Sequence, residues 1–161
     1  MTETIDRRFF LASLGAAATA AAIAPAEAFI FTPTQFLMWH EPGCGCCLEW
    51  AKRMGAAIGR KLPIVETHDL AAIKRTRGIP QDLQSCHTAI ISGYLVEGHV
   101  PPEDITRLVK SGSRTVRGLA VPGMPHGSPG MDMAHHHAGS RPYKVYAFEA
   151  GGRRSVFASH G

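Results

Sequence analysis

The sequence lacks the signatures of the common hydrolytic and phosphate-binding enzymes. It has no Ser-His-Asp arrangement, no glycine-rich phosphate loop and no paired catalytic carboxylates. Charged residues make up only 19% of the chain, and no run of basic residues is longer than two. Charge dispersed in this way serves solubility and predicts no nucleic-acid partner. There is no internal repeat, and no segment after residue 28 is apolar enough to cross a membrane.

The first 28 residues have the composition of an export signal. The pair Arg7-Arg8 precedes an alanine-rich apolar run, Leu11–Ala24, and Ala26–Ala28 is a small-x-small cleavage site. This order predicts a twin-arginine signal peptide at residues 1–28 and a mature domain in the periplasm, residues 29–161. An uncleaved anchor or an amphipathic helix is the alternative, but a membrane span needs about 20 apolar residues. We therefore expect no membrane contact after cleavage.

The chain has four cysteines, and they are placed unevenly. Cys44, Cys46 and Cys47 fall within four consecutive positions, and Cys86 is followed by His87. Disulfides between such near neighbours close very short loops and constrain the unfolded chain little, which disfavours a purely structural role for all four. Thiolates this close together suit a soft metal ion or thiol–disulfide exchange. A dithiol redox enzyme needs only two cysteines, so the third in one segment favours metal binding.

The ligand types favour Cu(I), with zinc and an iron–sulfur cluster as alternatives. A second group of candidate ligands, thioethers and imidazoles, consists of Met124, His126, Met131 and Met133, followed by His135-His136-His137. Thioethers are poor ligands for Zn(II) but suit Cu(I). The alternative for these methionines is to fill irregular gaps in a loop over the core. The triple histidine can bind metal ions adventitiously.

Hydrophobic periodicity predicts an α/β fold. Strands are expected at residues 35–40, 64–68, 87–92 and 95–99, helices at 46–62, 70–77 and 101–110, and a terminal β-hairpin at 143–148 and 154–158. Residues 118–133 are rich in glycine and proline and are expected to be irregular. This order predicts a thioredoxin-like, three-layer fold, in which a central mixed sheet is flanked by helices. It places Cys44 at the start of the first helix, where unpaired N–H groups favour a thiolate, and brings Cys86 beside it.

Several stretches also resemble a known family. The matching segments are Pro42–Cys47 with Trp50, Ser85–Ala89, Gly93-Tyr94, Glu97–Pro101, Gly118–Met131 and the terminal hairpin. Together they resemble the small exported proteins of domain-of-unknown-function family 411, over nearly all of the mature chain. The resemblance implies a thioredoxin-like fold, export and an association with copper handling. The triple histidine stands outside the family pattern.

The first functional hypothesis is an exported protein that sequesters or delivers Cu(I). Cys44, Cys47 and Cys86 would bind the ion, with Cys46 as an auxiliary thiolate and His87 as an added imidazole. The methionine and histidine loop would serve as a lid or a second site. We expect a monomer or a metal-bridged dimer, with another exported copper protein as a possible partner.

The alternative hypothesis is a thiol–disulfide oxidoreductase. Cys44 would then be the nucleophile, Cys47 the resolving thiol and Cys86 a third redox group. Redox members of the thioredoxin-like fold carry a proline before the hairpin, and its absence beside Cys86 weakens this hypothesis. We expect His40 and His99 to be packed and hydrogen-bonded, or to support the ligands from behind.

Overall fold

The computed structural model describes residues 35–131 and 141–161, all within one unit, Phe31–Gly161. These residues form seven strands and three helices: β1 (Phe36–His40), α1 (Gly45–Ala57), β2 (Ile64–Glu66), α2 (Leu70–Arg77), β3 (His87–Ile91), β4 (Tyr94–Glu97), α3 (Pro102–Ser111), β5 (Val116–Ala120), β6 (Tyr143–Glu149) and β7 (Arg154–His160). The predicted signal peptide, Met133 and the triple histidine lie outside the described residues. Within the described part, none of the helices is both long enough and apolar enough to cross a membrane.

All seven strands belong to one mixed sheet, in the order β2-β1-β3-β4-β5-β6-β7. β1 pairs with β2 in parallel and with β3 in antiparallel orientation, and β3 and β4 form an antiparallel hairpin. β3 is an interior strand of the sheet, and all five of its residues are buried. The prediction of a mixed α/β fold is confirmed, including the order strand, helix, strand, helix, hairpin, helix.

The second helix has the predicted bounds, whereas the first is shorter than predicted. The helix expected at residues 46–62 spans Gly45–Ala57. Gly59 adopts a left-handed conformation (φ +68°), and the N–H of Arg60 bonds back to the carbonyl of Gly55 at 3.0 Å. This is a Schellman ending, which stops a helix even where the apolar periodicity continues.

The expectation that residues 118–133 are irregular is wrong for the first three of them, because Gly118–Ala120 belong to β5, which runs parallel to β4. A Cβ atom on Gly118 would overlap the backbone carbonyl of Leu95 and lie 2.7 Å from the ring of Phe148. Glycine here permits a close approach of two strands and does not break the sheet.

The two faces of the sheet have separate hydrophobic cores, since neighbouring strand residues point to opposite sides. Ile91 belongs to the core that α1 and α3 cover, which includes Trp50, Met54, Ile105 and Leu108. Ile90 belongs to the other core, which includes Ile79, Leu83, Leu95 and Phe148. The first core holds the start of α1 against the sheet, and the cysteines lie at that point.

Candidate metal centre

The cysteine segment lies at the N-terminus of α1, as predicted, with Cys44 at the N-cap position. Cys44 and Cys47 are joined by a disulfide, with their Cα atoms 5.3 Å apart, whereas Cys46 and Cys86 are free. The disulfide joins positions three apart, which lie on the same face of a helical turn. A cavity of about 300 Å³ opens beside Cys44 and Cys86 and gives this site a route to solvent.

The four sulfur atoms form one cluster. All of them lie within 4.8 Å of one another. The Sγ atoms of Cys44 and Cys46 are 3.6 Å apart, and Cys47 Sγ is 3.8 Å from the carbonyl oxygen of Cys86. Cys86 thus meets the three earlier cysteines although about 40 residues separate them, as the order of elements predicts.

A histidine completes a second donor set around Cys86. His99 Nδ1 lies 2.7 Å from the carbonyl oxygen of Pro129 and must donate to it, because a carbonyl only accepts. In the neutral ring Nε2 then carries no proton, and it lies 3.0 Å from Cys86 Sγ. The donor atoms of Cys86, His87 and His99 also lie within 4.8 Å of one another. Cys86 therefore belongs to both donor sets.

His87 fills the space between two rings. Its ring centroid is 4.4 Å from that of Trp50 and 5.1 Å from that of His99. His87 Nδ1 is 3.4 Å from Cys86 Sγ, and its Nε2 is buried and meets no hydrogen-bond partner among residues 35–131 and 141–161. Trp50 is fixed in turn, because its indole N–H donates to the carbonyl of Val100 at 2.8 Å. This support holds the His87 ring in place.

Burial sets the protonation of these groups. It raises the pKa of the Cys86 thiol to about 12, with Cys46 nearby adding to the rise. Burial lowers the pKa of His99, and lowers that of His87 well below its usual value. At neutral pH the site thus offers a protonated thiol and two neutral imidazoles, and the Cys86 S–H can donate to His99 Nε2. A soft metal ion would displace that proton, since thiolate and neutral imidazole are the forms that bind metals.

The glycine- and proline-rich loop after β5, residues 121–131, closes one side of the site. Besides the Pro129 carbonyl, it brings Gly130 so close that a Cβ there would lie 2.7 Å from the Cys46 carbonyl. Met131 is buried at the end of this loop, whereas Met124 is 52% exposed. His126 is half-buried and belongs to neither donor set among the described residues.

The sequence predicts that His99 is packed and hydrogen-bonded, or that it supports the ligands from behind. It is buried and hydrogen-bonded, and the structure in addition places its Nε2 in direct contact with Cys86 Sγ. The signal lies in the β3–β4 register, in which Thr88 pairs with Glu97. The N–H of Gly98 continues the ladder by donating to the His87 carbonyl at 3.0 Å. One further step along the two strands sets Cys86 opposite His99. His40 is packed as expected, with its Nδ1 2.7 Å from the Glu41 carbonyl oxygen.

The donor chemistry of the site fits a soft metal ion. Four sulfur atoms and an unprotonated imidazole nitrogen converge, and within this convergence there is no carboxylate among the described residues. Hard ions such as Mg²⁺ and Ca²⁺ prefer oxygen ligands, whereas thiolate and imidazole suit copper and zinc.

Comparisons with known proteins agree with this chemistry. A family model described as "Protein of unknown function, DUF411" matches residues 83–131, which include Cys86, His87 and His99. A solved structure titled "Copper resistance protein copG", form 1, is 38% identical, with a TM-score of 0.70, and the match covers 78% of this chain and 95% of that chain. Form 2 is 35% identical, with a TM-score of 0.68, over 78% of this chain and 97% of that one. A search of curated proteins finds no match. On this evidence the chain belongs to the DUF411 family.

Proposed function

We propose that this chain is an exported protein that binds Cu(I) and sequesters or delivers it. One observation carries the proposal: Cys86 Sγ is shared between a cluster of four sulfurs and a pair of histidines. The likeness to solved structures whose titles name copper resistance adds support. Cu(I) accepts two or three soft ligands in an open geometry, so ligand exchange could pass it to another exported copper protein.

The residues that would hold copper are Cys44, Cys46, Cys47 and Cys86, with His87 and His99 on the other side of Cys86. With the Cys44–Cys47 disulfide formed, Cys46, Cys86 and the two histidines remain as donors. Reduction of the disulfide adds two thiols. A thiolate can bridge two metal ions. Because Cys86 belongs to both donor sets, it would be the residue shared between them if both were occupied.

The loop at residues 121–131 would act as a lid. Its Pro129 carbonyl orients His99, and Gly130 packs on the Cys46 carbonyl. Met131 is buried beside Gly130 and suits the lid, whereas the exposed Met124 and the half-buried His126 would belong to a second site. Met133 lies outside the described residues.

A thiol–disulfide oxidoreductase is the second candidate, and the Cys44–Cys47 disulfide at a helix N-terminus favours it. The sheet order β2-β1-β3-β4 with α1, α2 and α3 in sequence supports a thioredoxin-like fold for residues 35–112. Both candidates fit an exported protein. For export, we propose cleavage of a twin-arginine signal after residue 28, which N-terminal sequencing of the periplasmic protein would test.

The experiment that separates the candidates uses the mature chain purified under anaerobic conditions and reduced. Cu(I) is titrated against a chromophoric chelator, and reduction of insulin disulfides is assayed in parallel. We expect stoichiometric Cu(I) binding that Cys86→Ser abolishes or weakens strongly, because this change removes the shared donor. Met124→Leu is the comparison variant: it removes a thioether of the proposed second site, exposed and outside the cluster, so any change should be confined to that site and binding at the cluster should persist.

Two results would overturn the proposal. Turnover of insulin disulfides without Cu(I) affinity would favour the oxidoreductase. A brown chromophore in the protein as isolated, lost on exposure to air, would favour an iron–sulfur centre.

A further inference from the structure

Among the described residues, one ion pair has both side chains buried, and it contacts the residue that precedes Cys86. Lys74 on α2 and Glu97 on β4 have side chains that are 6% and 0% exposed. Lys74 Nζ donates to Glu97 Oε1 and, at 3.0 Å, to Thr88 Oγ1. Thr88 Oγ1 donates to Glu97 Oε2 at 2.6 Å. Burying two charges costs several kcal/mol in desolvation before their attraction offsets it, so such a pair is weak evidence for a stability role.

The Glu97 carboxylate has a third hydrogen-bond partner, and this one lies next to Cys86. Glu97 Oε1 accepts the backbone N–H of Ser85 at 2.6 Å. Ser85 immediately precedes Cys86, and it is the last residue but one before β3 begins. The loop end is thus tied to the sheet by a charged acceptor, and hydrogen bonds to charged groups are stronger than neutral ones.

Both partners of the contact between Cys86 Sγ and His99 Nε2 lie close to the end of β4, and each is anchored by a hydrogen bond nearby. Glu97 fixes the residue before Cys86, and two positions further along the chain His99 is fixed by the Pro129 carbonyl. The sulfur and the nitrogen, 3.0 Å apart, each lie next to one of these two anchors. If the Ser85 anchor is released, the Cys86 backbone can move away from His99 while His99 stays in place.

We propose that Glu97 is a positioning residue for Cys86, and that Lys74 and Thr88 hold its carboxylate aimed at the Ser85 N–H. The proposal rests on the proposed copper function and adds to it a residue that contacts no metal. It predicts that copper affinity depends on the acceptor at position 97 and not on the buried charges themselves.

Two double variants isolate the acceptor. Lys74→Met/Glu97→Gln removes both charges and keeps an amide oxygen for the Ser85 N–H. Lys74→Met/Glu97→Leu removes the charges and the acceptor together. Replacing both members of a buried ion pair by neutral groups is often close to neutral for stability, whereas removing one alone leaves an unpaired charge. Glu97→Gln alone should therefore lower the melting temperature, and the added Lys74→Met should restore it.

The test measures Cu(I) affinity by chelator competition, the rate of Cys86 alkylation by iodoacetamide in the metal-free protein, and the ¹⁵N shift of His99 Nε2. We expect the Gln double variant to match the wild type in all three. We expect the Leu double variant to fold, to lose about 10–100-fold in affinity, as loss of a supporting contact does at metal sites, to be alkylated several-fold faster, and to show a shifted Nε2 signal.

Equal affinity and equal alkylation in the Leu and Gln variants would overturn the proposal, and so would an equal loss in both. If the Leu variant does not fold, adding Thr88→Val removes the hydroxyl left without a partner, and the comparison is repeated. Failure of the copper proposal is distinguishable, because the wild type would then bind no Cu(I) while the alkylation and ¹⁵N measurements would still report on Cys86.

Discussion

The loop that covers the site contains three glycines with positive φ, and two of them, Gly123 and Gly130, differ in their surroundings in a way that allows a sharp prediction. At Gly130 (φ +89°) a Cβ would lie 2.7 Å from the Cys46 carbonyl and 3.0 Å from the Trp50 backbone nitrogen. At Gly123 (φ +69°) a Cβ would meet nothing within 4 Å. Gly130→Ala should therefore displace the loop, and Gly123→Ala should not.

The magnitudes follow from two contributions to the free energy of unfolding. Left-handed backbone costs an alanine about 1–2 kcal/mol, and both variants share this cost. Overpacking against backbone atoms adds about 1–3 kcal/mol at Gly130 alone. At about 4 °C per kcal/mol for a chain of this size, the melting temperature should fall by roughly 4–8 °C for Gly123→Ala and by roughly 8–20 °C for Gly130→Ala.

The functional consequence separates the two variants further. Displacing the loop at Gly130 moves the neighbouring Pro129 carbonyl that orients His99, and loss of such a partner costs about 10–100-fold in metal affinity. Thermal melts followed by circular dichroism and Cu(I) competition titrations at 20 °C measure both effects. Equal Cu(I) affinities for the two folded variants would refute the inference that this loop orients His99.

Three further predictions concern the sheet, the histidines and the thiols. Gly118→Ala should destabilise the fold by at least about 1–3 kcal/mol in urea, because the Leu95 carbonyl that it meets is backbone and cannot rotate away; an unchanged midpoint would contradict the assigned β5. Since burial lowers the pKa of His87, the unfolded chain takes up the proton first, and stability should fall on acidification below about pH 6.5 by up to about 1.4 kcal/mol per pH unit. His87→Phe should flatten that slope between pH 7.5 and 5.5, and an unaltered slope would show that His87 does not cause it. Because burial raises the pKa of Cys86 to about 12, mass spectrometry should find Cys46 alkylated before Cys86 at pH 7.5; the reverse order would mean that Cys86 is ionised.

Most of the fold could be predicted from local signals. Asp69 accepts the N–H of Ala72 and caps α2, and Gly78 ends it in a left-handed conformation, which accounts for the correctly predicted bounds, residues 70–77. Two predictions failed at glycines, because a glycine can either end an element or lie inside one where another backbone approaches closely. Gly59 ends α1 before the apolar periodicity stops, and Gly118 lies inside a strand because a neighbouring carbonyl approaches it.

The sequence predicted that the four sulfurs meet, but it did not predict the contact between His99 and Cys86. The cause is the position of one turn. The strands expected at residues 87–92 and 95–99 imply a turn at Gly93-Tyr94, whereas the structure turns at Ser92 and Gly93, which both have positive φ. Two residues with positive φ are characteristic of the tight type I′ hairpin. A turn one residue later changes the pairing by two positions, so that Cys86 would face Pro101 and His99 would face Thr88.

In the exported protein that we propose, the spacing of the cysteines would let the site keep metal donors under oxidising conditions. Thiols outside the cytoplasm tend to oxidise, and Cys44 and Cys47 are placed to pair with each other. Cys46 lies between them in sequence and remains free, and Cys86 is held against His99 by its own contact. Oxidation of one pair therefore leaves two thiols and two imidazoles, so copper binding and disulfide formation need not exclude each other. If the disulfide excluded copper, Cu(I) affinity would vanish when Cys44 and Cys47 are joined. If the second donor set around Cys86 is sufficient, the affinity should fall but persist.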